Sequence, residues 1–185
     1  MKVKIKVPLS LDDITVGQHQ SIQKLLENEN LKGKELDNEI LKIVLGFDDI
    51  DAISVKDRNR LFVDVQNALQ KEGEFKQTFV LNGIEFGLIP NFDKLTNGEY
   101  TDLIKYSEYV DDLHRFLAVA YRPIKLKDRF KNYTIVNYEG TKFNADRLKE
   151  LPMSIANGVQ GFFLNLSNDL ENYILMSTQT EQARE

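Results

Sequence analysis

The spacing of apolar residues along this chain changes period several times, and each change marks an expected boundary. Val3, Ile5 and Val7 alternate with Lys2, Lys4 and Lys6, which predicts a half-buried strand ended by Pro8. Thr15 followed by Gln18 is a capping-box pattern, and Ile22, Leu25 and Leu26 continue at helical spacing. A helix is therefore expected from about Val16 to Glu27, with the polar stretch Glu27 to Lys34 as the loop after it. Leu36, Ile40, Ile43 and Val44 predict a second helix stopped by Gly46. Phe47 to Ala52 reads as acidic loop or one short turn. From Ser54, the run Leu61, Phe62, Val65 and Leu69 predicts a third helix that ends near Glu72-Gly73.

The period then drops to two. Thr78 to Phe86 reads as two short β runs joined by Asn82-Gly83, a pair that tolerates the positive φ angles of a type I′ hairpin turn. Beyond it, Phe92-Asp93-Lys94-Leu95-Thr96-Asn97-Gly98-Glu99 matches Leu11-Asp12-Asp13-Ile14-Thr15-Val16-Gly17-Gln18, and Ile89-Pro90 matches Val7-Pro8. Each copy is strand, proline, a short acidic-apolar link, then Thr-x-Gly-Gln/Glu opening a helix. Each Thr hydroxyl can cap an orphan N–H, worth on the order of 1 kcal/mol. Tyr100, Leu103 and Ile104 carry the second copy into its helix.

A further helix is expected over roughly Val110 to Tyr121, stopping before Arg122-Pro123. Lys125, Lys127, Arg129 and Lys131 alternate after Pro123 and read as a solvated loop or a charge-protected edge strand. Tyr133 to Tyr138 predicts a strand, Glu139-Gly140 a turn, and Thr141-Lys142-Phe143 its return as a second small hairpin. Asn144 is expected to cap a short helix through Leu148. The last helix has the most regular stripe: Ile155, Val159, Phe162, Phe163, Leu166, Leu170, Tyr173 and Ile174. Gly158 and Gly161 inside it each cost up to about 1 kcal/mol relative to Ala, which implies either close packing of another backbone or a bend. The expected fold is α+β, predominantly helical with short antiparallel hairpins. One domain is expected over residues 1–176, built from two pseudo-repeated strand-to-helix units of approximately 1–75 and 76–176, before a polar tail at 177–185.

Composition narrows the functions open to such a fold. An apolar share of 42% with 11 Phe and 7 Tyr is ample for a core. Without cysteine, disulfides, thiolate metal ligands and cysteine nucleophiles are excluded. The first residues lack an apolar h-region, so no signal peptide is expected. No apolar run approaches the roughly 20 residues of a membrane helix. A net charge of −5 argues against nucleic acid as the main ligand.

Candidate chemistry is sparse. Asp111 and His114, three apart on a helix with Asp112 between them, form the best enzymatic constellation, yet two ligands seldom make a metal site. His19 reads as a first-turn solvent residue. Asp12-Asp13 and Asp48-Asp49 with Asp51 read as solvated or dipole-complementing carboxylates. Nucleotide-cradle, His-Glu-x-x-His, EF-hand and nucleophile-elbow patterns are absent. No catalytic residue, metal ligand or cofactor is therefore expected, and the chain reads as a non-enzyme. The apolar stripe of the last helix, Phe162, Phe163, Leu166, Leu170 and Tyr173, is the candidate protein-interaction surface, for another protein or a homo-oligomer.

Leu11 to Gln18, Asn82 to Asn91, Leu117 to Ile124, Leu151-Pro152-Met153 and Gly161-Phe162-Phe163 together resemble a group of small proteins of tailed bacteriophages, encoded among structural and tail genes. The resemblance spans about Val7 to Leu175 and rests on structural punctuation, with no catalytic residues to transfer. It implies a morphogenesis protein that is either tail-assembly-chaperone-like or a virion subunit of the head–tail connector or tail ring. The implied partners are other phage tail or neck proteins. The implied place is the host cytoplasm during assembly, or the virion.

Overall fold

The computed structural model describes residues 6–165. Its first helical unit follows the apolar spacing closely. Ser10 caps a 3-10 turn at Leu11–Asp13, and Thr15 opens α1 (Val16–Leu26) with both halves of the capping box formed. Next come α2 (Lys34–Leu45), a 3-10 turn at Ile50–Ala52, and α3 (Val55–Leu69), whose N-cap is Ser54. Gly46 ends α2 with φ +60°, a left-handed conformation common at helix C-termini that glycine supplies without strain. Ile22, Leu41, Val44, Leu61 and Val65 close a small core between these helices.

A larger core forms around a four-stranded antiparallel sheet of order β1-β2-β3-β4. The strands are β1 (Thr78–Leu81), β2 (Ile84–Leu88), β3 (Tyr121–Lys127) and β4 (Tyr133–Ile135). Asn82 and Gly83 both take positive φ, at 50° and 77°, so the β1–β2 turn has the chemistry expected of it. Asn91 caps a 3-10 turn at Phe92–Lys94, and Thr96 opens α4 (Asn97–Ser107) with a second complete capping box. Then follow α5 (Leu113–Ala120), the short α6 (Ala145–Leu148), and α7, which is helical over the described residues 153–165. The start of α1 is stitched to the approach of α7 by Val16 N–H to Leu151 O (2.9 Å), Gly17 N–H to Lys149 O (2.8 Å) and Met153 N–H to Ile14 O (2.7 Å).

One glycine in the last helix permits close packing, and the other does not need to. A Cβ at Gly158 would lie 2.3 Å from the Glu74 carbonyl carbon, and one at Gly73 would lie 2.3 Å from the Ser154 carbonyl oxygen. The chain between α3 and β1 therefore crosses α7 backbone to backbone, and Glu74 N–H donates to Ser154 O at 3.1 Å. Gly161 has open space around it.

The structure departs from the expected elements at several places. Val110 to Tyr121 is not one helix: Val110–Asp112 is a 3-10 turn, α5 begins at Leu113, and Tyr121 already belongs to β3. Among the described residues, only Tyr121–Pro123 of β3 pairs with β2; the lysine-rich half beyond Pro123 pairs with β4 alone and is exposed, an edge on its other side as the alternating lysines imply. Pro123 offers no donor, but its carbonyl accepts the Val136 N–H at 3.0 Å. The second hairpin does not use Thr141-Lys142-Phe143. The strand covers only Tyr133–Ile135 and pairs backwards onto β3, with Lys127 opposite Tyr133. Asp128 builds that turn, its Oδ1 accepting from Phe130 N–H (2.7 Å) and Asn132 N–H (2.9 Å) while Lys131 takes φ +67°. Asn144 precedes α6 without a side-chain cap bond. The strand expected over residues 3–7 falls largely on residues 1–5, outside the described residues, and residues 6–9 are not in a strand.

Candidate functional site

α4 carries an apolar stripe that is only partly covered. Leu103 is buried in the core, whereas Tyr100 and Ile104 are spaced four apart and lie exposed. The chain after α4 adds Tyr109 and Val110, with Tyr109 65% exposed. From the other side α7 contributes Phe163, Leu164 and Gln160. Together these elements enclose an open groove of about 1040 Å³ with Phe92, Leu113 and Phe116 at its base. Phe163 is half-buried there, edge-on to Phe92 (5.3 Å to Phe116 and 5.4 Å to Phe92 between ring centroids). Among the described residues two charged side chains line the groove, Asp93 and Glu108, and both are acidic.

The candidate interaction stripe thus divides. Phe163 lines the groove, while Phe162 stacks on Phe75 at 4.7 Å and helps seal the crossing of α7. Leu166, Leu170 and Tyr173 lie outside the described residues. Tyr100, Ile104 and Tyr109 were not singled out from the sequence. Tyr100 and Ile104 share one helical stripe with Leu103, so spacing alone does not mark them as exposed.

The groove rests on a buried ionic anchor. Glu99 in the first turn of α4 and Arg122 on β3 are 5% and 6% exposed, and their side chains pair at 2.5 Å. Burial opposes ionisation of Glu99. The hydrogen bonds from Thr96 and the Arg122 charge outweigh it, holding the carboxyl below its ordinary value. Arg122 also lies over the Tyr138 ring at 5.7 Å, and Tyr138 donates to Asp102 of α4. Burial and the Asp102 carboxylate both push the Tyr138 hydroxyl up, so it stays protonated. α4 is fixed to the sheet by charge, and its outer face is exposed among the described residues.

Asp111, Asp112 and His114 are not brought together as a reactive set. His114 is buried, and its Nδ1 lies 3.0 Å from Gln20 Nε2, which also donates to the Val110 and Asp111 carbonyls at 2.7 and 2.8 Å. Burial, reinforced by Lys149 and Arg115, pushes the His114 pKa down and keeps the ring neutral. The Asp111 carboxylate instead faces Lys24 at 3.4 Å, and Asp112 faces Arg115 at 3.0 Å. His19 is half-buried, and burial lowers its pKa also. Among the described residues no group of three or more His, Asp or Glu side chains could hold a metal ion, and no helix is long and apolar enough to cross a membrane.

No family model, curated protein or solved structure matches this chain.

Proposed function

We propose that this chain is a non-enzymatic bacteriophage morphogenesis protein, tail-assembly-chaperone-like, that holds another tail protein by reversible burial of apolar surface. The observation that carries this reading is the groove. Tyr100, Ile104, Tyr109 and Leu164 expose contiguous aromatic and aliphatic surface on a rigid frame, which is the usual character of a docking site. The phage-like segments, Leu11 to Gln18, Asn82 to Asn91 and Leu117 to Ile124, supply the setting. Separate local partners for Asp111, Asp112 and His114 weigh against acid–base chemistry there.

A photo-crosslinking residue in place of Tyr109, used in infected cells, tests it. The expected product is an adduct with a polypeptide identified by peptide mass spectrometry as a phage tail protein, together with absence of this chain from purified virions. Stoichiometric presence in virions would replace the chaperone reading with a connector or tail-ring subunit. No adduct with any phage protein would end both.

A further inference from the structure

We propose that the groove also receives the tip of the β3–β4 hairpin of a second copy of this chain, in a head-to-tail contact. The inference rests on reading the groove as a protein-docking site and names one occupant for it. That occupant is displaced when a tail protein binds.

The hairpin tip is the groove's chemical complement. Phe130 is 70% exposed and Leu126 is 67% exposed, which leaves an aromatic and an aliphatic side chain uncovered among the described residues. Around them stand Lys125, Arg129 and Lys131, which have no carboxylate partner among the described residues; Lys127 is paired with Glu85. Arg129 lies 4.7 Å over the Phe130 ring, so the two present a cationic aromatic pair. In a chain of net charge −5 this tip is a local basic site, and the groove offers apolar floor, tyrosine faces and the two acids Asp93 and Glu108. Such an arrangement favours correct register and fast encounter more than great strength.

Topology decides that the contact joins two molecules. Leu88 stands opposite Tyr121 and Phe86 opposite Pro123, so β3 runs toward the Asn82-Gly83 end of the sheet and its turn lies there. The groove begins at Phe92, just beyond Leu88, at the other end. At about 3.3 Å per residue, β3 separates the two by roughly 20 Å. A tip docked into its own groove is excluded. A tip docked into a neighbour's leaves one free tip and one free groove, the heterologous geometry that builds rings or filaments.

Sedimentation of the full chain tests this, from about 5 to on the order of 200 µM, because a small interface of this kind is weak. The wild-type average mass is expected to rise above 21.4 kDa with concentration, toward dimer and beyond. Phe130→Ser and Ile104→Asp should each stay monomeric. Their equimolar mixture should stop at a dimer, since one variant retains only a groove and the other only a tip. Raising salt from about 50 to about 500 mM should weaken wild-type association several-fold. Because Ile104→Asp touches a helix, Glu108→Lys, at an exposed position, provides a second groove variant, and Arg129→Glu should restore its association. A wild-type chain that is monomeric throughout, a Phe130→Ser chain that associates normally, or a mixture that stays monomeric overturns the contact. Each leaves the Tyr109 crosslink to a tail protein unaffected. Loss of that crosslink with self-association intact would instead remove the tail-protein reading alone.

Discussion

Two helix starts in this molecule use the same letters and solve the same backbone problem, but they are wired into the fold by different chemistry. At α1, Thr15 Oγ1 accepts from Gln18 N–H at 3.2 Å, and the Gln18 side-chain oxygen returns the favour to Thr15 N–H at 2.9 Å. At α4, Thr96 and Glu99 repeat both bonds, at 3.2 and 2.7 Å. The spare end of each side chain then differs. Gln18 has an NH₂ left over, which donates to the Ile43 and Val44 carbonyls at 2.9 and 3.3 Å and so completes the C-terminus of α2. Glu99 has a carboxylate oxygen left over, which takes Arg122 from the sheet. A local motif sets where a helix begins. The residue at its third position decides what that helix is tied to.

The largest test of this difference is removal of one charge from the buried pair. Arg122→Met or Glu99→Gln should each lower stability by roughly 3–5 kcal/mol, because a buried charge loses its partner. The double variant should cost less than the sum, as no unpaired charge remains. Chemical denaturation of the four chains measures this, and simple additivity would deny the coupling. The pH dependence follows from the direction of the Glu99 shift. Its folded carboxyl sits below the ordinary value, so the unfolded chain binds more protons in the acid window. Its contribution is full above the unfolded pKa of about 4.3 and is lost as pH falls through the lower folded value. Glu99→Gln should flatten that part of the acid limb.

A smaller effect is expected from converting the first start into the second. Gln18→Glu keeps the capping box but removes the donor to the Ile43 and Val44 carbonyls and sets a carboxylate against them, with no arginine in compensation. A loss of about 1–2 kcal/mol is expected, more than for Gln18→Ala at the α2 end of the fold. Hydrogen exchange at the last turn of α2 reads it locally, and unchanged exchange there would show that the long-range tie contributes little.

What was legible in the sequence sorts by range. Thr15, Gln18, Thr96, Glu99 and the Asn82-Gly83 turn act within four residues, and each reads directly from spacing. The inner part of β3, Tyr121–Pro123, was hidden because it continues the helical spacing of α5 up to a proline, and its pairing with β2 reaches across some 35 residues. The β3–β4 turn was missed because Asp128 builds it from side-chain bonds, without the Asn-Gly signature. The groove was missed for a different reason. Tyr100 and Ile104 follow the same helical spacing as buried residues, and only the positions of α7 and Arg122 show which face of α4 goes uncovered. Glu99 was legible as a cap, but its arginine partner was not.

The finest distinction between the two starts lies in the glycine they share. Gly17 is held close to the approach of α7: its N–H donates to Lys149 O, and a Cβ there would meet Lys149 Cβ and O at 3.3 Å. Gly98 occupies the matching place in α4 with nothing within 4 Å of its added Cβ. One glycine is required by a neighbouring backbone, and the other is only a cost in helix propensity. Gly98→Ala should therefore stabilise by about 0.5–1 kcal/mol, chiefly by restricting the unfolded chain. Gly17→Ala should gain nothing or lose a similar amount, because Lys149 must shift and the tie between α1 and α7 loosens. Thermal melts of the two single variants decide the matter. Equal gains at both sites would mean that the repeat is used identically in its two places, and that the contact between Gly17 and Lys149 tolerates a methyl group.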